Sequence, residues 1–251
     1  MYALSASDLL GIWENGAGKT PVEQALAILR TAFPHATNAK LMKLTIGQRD
    51  ACLIHLHELT FGPHLKGLAN CPACGERLEL DFNGRDLPAS SSPLPDPELI
   101  EPLDAESFFR FNNYEVTYRL PTSADLLNSS KQTGTSALRE KLLQTCVVSV
   151  VCDDATKDIK ELPEKVLEEL VQHMDKADPL ANLTLAASCP ACGHTWQIIF
   201  DIVSYFWSEI NAWAIRLLHE VHLLASAYGW SENDILNMSA WRRQRYLELI
   251  G

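Results

Sequence analysis

The sequence predicts an α+β fold, mostly helical, with a small antiparallel sheet split between two distant parts of the chain. Three observations predict it. Apolar residues recur at helical spacing through the first 60 residues and again over 205–227. The pentapeptide CPACG occurs twice, at 71–75 and 189–193, each time ahead of a strand-like run. The stretch FFRFNNYEVTYRLP, 108–121, reads as a hairpin, with Asn112-Asn113 at the turn and Val116, Tyr118 and Leu120 on one buried face.

Helices are expected over 6–15, 21–33 and 47–60. The second opens on Thr20-Pro21-Val22-Glu23, a capping box with proline at the first helical position. The third follows Thr45-Ile46-Gly47-Gln48, a second such box. RLELDF, 77–82, reads as a strand. Residues 86–106 hold five prolines and three consecutive serines, so an extended connection is expected there. Helices follow over 122–129, 135–151 and 163–175. LTLAAS and TWQIIFDI, around 183–202, are strands. The helix over 205–227 carries Phe206, Ile210, Trp213, Leu217, Val221 and Leu224 on one stripe. Two short helices joined near Asn237 end the chain. Ser231 and Ser239 stand at their capping positions.

At 251 residues the chain can bury a sizeable core, as one large domain or two small ones. Its net charge of −11 argues against a nucleic-acid backbone as the main partner. No run of 18 apolar residues is present to span a membrane. Seven cysteines, an odd number, with no secretory signal argue for a cytoplasmic protein without a disulfide framework.

GAGKT, 16–20, resembles the end of a phosphate-binding loop. That loop requires an earlier glycine at position 13, which is Trp13, and a strand before it. The preceding residues read instead as a short amphipathic helix. The string is therefore a turn between two helices, and no bound nucleotide is expected.

The two CPACG copies carry the chemistry. Cys71 with Cys74, and Cys189 with Cys192, each place two thiolates at the tip of a hairpin. Together they make a four-sulfur tetrahedral zinc site. The glycine after each second cysteine permits positive φ. A zinc ribbon commonly separates its pairs by about 15–20 residues; here 114 intervene, so the two halves are expected to pair in one sheet around a long insertion. Four cysteines leave no position for a catalytic water, which makes the expected zinc structural. Cys52, Cys146 and Cys152 lie in apolar runs read as helical and are expected in the core.

Other candidates for chemistry are weaker. His219-Glu-Val-His222 is one residue too short for a metalloprotease helix. His55 and His57 fall on different helix faces, and both histidine pairs read as surface or half-buried groups. No nucleophile elbow or acid–base pair stands out, so no enzyme is expected. The terminal AWRRQRYLELI combines Trp241 and Tyr246 with Arg242, Arg243 and Arg245, residue types enriched at protein interfaces. Trp241 and Leu247 can hold this helix down while the three guanidinium groups face a partner; the aromatic residues can also pack purely as anchors.

Four blocks resemble the T4-type baseplate hub assembly chaperone family of contractile phage tails and extracellular contractile injection systems. They are IWENGAGKTPVEQALAIL, QRDACLIHLHELTFGPHL with CPACGERLEL, YRLPTSADLL, and YGWSENDILNMSAWRRQRYLELI. The resemblance implies a non-enzymatic assembly factor acting on the tail hub or central spike, and leaves open whether it stays in the particle. The alternatives are a permanent structural baseplate subunit and a zinc-ribbon protein acting on nucleic acid. The expected organisation is a helical region over 1–65, a split zinc ribbon over 66–85 and 183–203, an inserted linker, hairpin and helices over 86–182, and a helical region over 204–251.

Overall fold

The computed structural model describes residues 1–87, 106–129, 134–153 and 155–250. Four helices open the chain: α1 (Ala6–Gly16), α2 (Pro21–Ala32), α3 (Asn38–Lys43) and α4 (Ile46–Phe61). Their starts are written in the sequence. Thr20 and Glu23 form the expected capping box, and so do Thr45 and Gln48; Ser5 and Asp8 form another at the head of α1. In each, one side chain accepts a backbone N–H that the first helical turn leaves free. GAGKT closes α1 and turns into α2. Gly18 sits at φ 73°, and an added Cβ on Gly16 would run into the Trp207 ring.

The ribbon hairpins come next in space. β1 (His64–Asn70) pairs antiparallel with β2 (Arg77–Asn83), and β7 (Thr184–Ser188) with β8 (Thr195–Ile199). They are two separate two-stranded sheets, not the single joint sheet expected from the sequence. Between them lie β3 (Ser107–Phe111), β4 (Tyr114–Tyr118), α5 (Ser123–Ser129), α6 (Thr135–Cys146), β5 (Val147–Cys152), β6 (Ala155–Thr156) and α7 (Glu164–Ala177). The expected hairpin is present, with Asn112 at φ 52° in its turn. The helix expected over 135–151 stops at Cys146. VVSVVC becomes β5, because β4 offers it an open edge and its β-branched side chains suit a strand. Cys146 is buried, but Cys152 lies half-exposed on β5 rather than in a helix. The proline- and serine-rich expectation falls mainly on residues 88–105, outside the described residues.

The chain ends with α8 (Ile202–Tyr228), α9 (Glu232–Leu236) and α10 (Ala240–Glu248). The main core joins α2, α4 and the first half of α8 through Leu26, Ile28, Leu29, Leu53, Leu56, Phe206 and Ile210. A second cluster, of Phe109, Val116, Val150 and Leu170, lies between the sheet β3-β4-β5-β6 and α7. The inserted elements meet the body at the start of α4. Asp178, just past α7, accepts the Gly47 N–H at 2.9 Å, and Pro121 O accepts the Ile46 N–H at 3.2 Å. A Cβ at position 47 would overlap the Asp178 carboxylate, so glycine is required there.

Asp50 lies beside this junction, paired with Arg49 at 2.7 Å. Burial pushes its carboxyl up to about 6 despite the arginine, with Asp201 and Asp178 adding to the rise. The folded form thus holds a proton that the unfolded chain releases near pH 3.8. Ionised Asp50 therefore weakens the fold above pH 6, and stability from this group returns as pH falls through 6.

Two expectations follow for stability. In thermal melts, Thr20→Ala loses about 1 kcal/mol, as a helix cap does, while Lys19→Ala melts like the parent; equal losses would show that the cap is not what holds α2. The parent should gain stability as pH falls from 8 through 6, and Asp50→Asn should remove that gain, on the order of 1 kcal/mol, on top of a pH-independent loss from unpairing Arg49. A difference between variant and parent that does not change with pH would reject the assignment.

Candidate metal centre

Each CPACG copy folds the same way, because the same five residues impose the same turn. In the first, the Gly75 N–H donates to Cys71 O at 2.8 Å and the Cys71 N–H to Glu76 O at 2.8 Å. In the second, Gly193 donates to Cys189 O at 2.9 Å and Cys189 to His194 O at 2.9 Å. Gly75 and Gly193 have φ of 78° and 71°, the left-handed turn that favours glycine. Each turn ends one hairpin, β1–β2 or β7–β8, and the two tips face each other.

The four ligand atoms of Cys71, Cys74, Cys189 and Cys192 lie within 4.8 Å of one another. Across the knuckles, Cys71 Sγ lies 3.7 Å from Cys192 Sγ, and Cys74 Sγ lies 3.6 Å from Cys189 Sγ. A disulfide would need about 2.05 Å. A tetrahedral ion with bonds of about 2.3 Å to sulfur sets its sulfurs about 3.8 Å apart. The spacing therefore fits a metal and not a covalent bridge. Cys71 and Cys189 are buried, while Cys74 and Cys192 are exposed. Leu78 and Trp196 pack behind the buried pair.

The electrostatics of the donor set point the same way. Burial opposes the Cys71 thiolate, but the amides of Cys74 and Ala73 and the thiols of Cys74 and Cys192 overcome it and lower its pKa. At Cys74 the Glu76 amide favours the thiolate, yet the neighbouring thiols of Cys192, Cys189 and Cys71 push the pKa up. At Cys192 the His194 amide and the Cys74 thiol favour the thiolate, but burial and the thiols of Cys189 and Cys71 raise its pKa. One thiolate thus comes easily at the expense of the others. A divalent cation lets all four ionise together, and four-sulfur sites suit zinc or iron. All four tetrahedral positions are then filled by protein, which leaves none for water.

The remaining sequence candidates separate. The two histidine pairs do not converge, and the four cysteines are the metal-capable group among the described residues. His219 and His222 are exposed on α8. His55 is half-buried, but His57 is fully buried, contrary to the expectation of a surface or half-buried group. It pairs with Glu209 of α8, between the rings of Phe61, Tyr205 and Phe206. The terminal helix is also rolled differently from expectation. Arg243 is the buried residue of α10, its Nε 3.0 Å from Glu220 and its Nη1 2.8 Å from Met238 O. Trp241, expected as an anchor, is 69% exposed. Arg242 and Arg245 face outward, and Tyr246 and Leu247 are half-buried. The reason is Glu220: a carboxylate at the right height on α8 makes an arginine the favoured inward residue. In the sequence Glu220 stands out only as part of HEVH, and nothing local marks it as the countercharge of a residue 23 positions on.

The family model described as T4 bacteriophage base plate protein matches residues 6–207. The match includes both knuckles and ends within α8, so α9 and α10 lie beyond it. No curated protein and no solved structure matches the chain.

Metal analysis of the purified protein should give one ion per chain. Cys192→Ser should lose most of it and melt markedly lower, since three thiolates remain and the two hairpins lose their common tie. A metal-free parent, or a variant that melts like the parent, would remove the site.

Proposed function

The chain belongs to the T4 bacteriophage base plate protein family, and on that premise we propose that it is a non-enzymatic assembly chaperone or adaptor. It acts in the cytoplasm on the hub or central spike of a contractile tail, and its four cysteines hold a structural zinc. The observation that carries the base plate role is the family match over 6–207, which spans most of the helical body, both knuckles and the insertion. The resemblance of the four sequence blocks to hub assembly chaperones supplies the finer assignment. Zinc is chosen over iron because a closed four-thiolate site with a purely structural task needs no redox chemistry.

The side chains support a role without catalysis. A four-sulfur site has no open position. His57 is engaged with Glu209, and Glu220 of HEVH neutralises Arg243. A second reading, a permanent structural subunit, is favoured by the family's description as a base plate protein. The two differ in final location alone.

With the whole tail operon expressed, the chain should co-purify with the hub or spike from cell extracts. Its deletion should leave no complete base plates, and mass spectrometry of finished particles should not detect it. Detection at fixed stoichiometry in finished particles would replace the chaperone with the structural subunit. Normal base plates without the chain would contradict both.

A further inference from the structure

We infer that the outward face of α10 docks an acidic amphipathic helix of another base plate component. The inference rests on the base plate reading above and adds to it the surface and the chemistry of its occupant. The roll of α10 is fixed from inside. Ser239 caps the helix, and buried Arg243 is held by Glu220 and Met238 O. At 100° per residue this turns Trp241, Arg242, Arg245 and Leu249 away from the body.

Those four residues make an organised surface. Trp241, Arg245 and Leu249 follow one another at intervals of four, one stripe about 12 Å long. Trp241 is 69% exposed and Leu249 75%. The Arg245 guanidinium lies 5.3 Å from the centre of the Trp241 ring. The Arg242 guanidinium lies 5.7 Å from the Tyr246 ring, which Trp230 and Tyr228 buttress at 4.8 and 5.6 Å. Rings that already orient both guanidinium groups reduce the entropy lost when a partner binds. Seven of the fifteen exposed large apolar side chains among the described residues fall within 215–250, the C-terminal part of the chain.

Charge selects the occupant. Arg245 shares an exposed pair with Glu248 at 2.8 Å, an interaction weak enough to exchange. No ion pair is formed by Arg242 among the described residues. The face therefore offers two forked donors to carboxylates, with Trp241 and Leu249 for an apolar side chain between them. An acidic amphipathic helix supplies both at matching spacing. A second copy of this chain fits poorly, since each carries a net charge of −11. Two guanidinium groups on so acidic a chain are also too few to hold a nucleic-acid backbone.

The test is site-directed photo-crosslinking in cells producing the complete set of tail proteins. A benzophenone amino acid replaces Trp241, with Val171 on α7 as the control position. The Trp241 position should capture a base plate component, and the captured peptide should lie in a helix rich in aspartate and glutamate. Arg242→Glu with Arg245→Glu should cut the yield at least tenfold without changing the melting temperature or metal content. Charge reversal of the captured carboxylates should restore it. Capture of a second copy, a nuclease-sensitive adduct, or a captured segment without carboxylates would overturn the inference. No capture from position 241, while the chain still co-purifies with base plate proteins, would reject this face and leave the functional reading intact. Failure of the whole chain to co-purify with any base plate protein would remove both.

Discussion

Four sulfur atoms meeting at one point are the constraint on which the arrangement of this chain depends. The two knuckles enclose the 114 residues from 75 to 188. Closing so long a loop costs about 4 kcal/mol of chain entropy. A structural zinc in a four-thiolate site is worth roughly 10–16 kcal/mol at neutral pH. The metal term is the larger, so one ion can define where the insertion leaves and re-enters the body. The hairpins do not hydrogen-bond into one sheet. Beyond the sulfurs, Phe200 meets Phe82 edge to face at 5.1 Å, and the Lys66 N–H donates to the Tyr205 hydroxyl at 2.9 Å. Those contacts orient the hairpins; the sulfur cluster joins their tips.

α8 carries the second set of ties. Leaving the β7–β8 hairpin, it meets α1, α4 and α10 through specific polar or aromatic contacts. Trp207 covers Gly16 of α1, Asn211 accepts the Trp13 indole N–H at 2.8 Å, Glu209 meets buried His57 of α4, and Glu220 holds Arg243 of α10. Apolar burial along α8 is non-directional. These pairs set its register and roll, because a buried charge or hydrogen-bonding group left unpaired costs several kcal/mol. The four-cysteine cluster, α8 and the terminal helix thus form one chain of contacts from the ribbon to the surface inferred to receive a partner.

What could be read from the sequence was local chemistry. The capping boxes at Thr20 and Thr45 fixed helix starts, and the CPACG pair named all four clustered cysteines. Both signals act within five residues. The failures lay where a distant neighbour decides. VVSVVC, 147–152, follows a helical stretch and is too short for periodicity to separate helix from strand; the open edge of β4 decides it. HLKGLAN, β1, buries only Leu65 fully and is broken by Gly67, so it has little strand signature of its own. Arg243 and Trp241 exchanged their expected places because Glu220 stands 23 residues earlier in the chain. His57 was misplaced for the same reason, its Glu209 partner lying 152 residues away. Residue type gives the usual side of a helix; a single buried countercharge reverses it.

X-ray absorption at the zinc edge of the purified full chain tests the central claim most directly, because it counts and identifies the atoms bound to the ion. A single shell of four sulfur neighbours at about 2.3 Å is expected. A shell containing nitrogen or oxygen, or fewer than four sulfurs, would contradict a closed site built from the two knuckles.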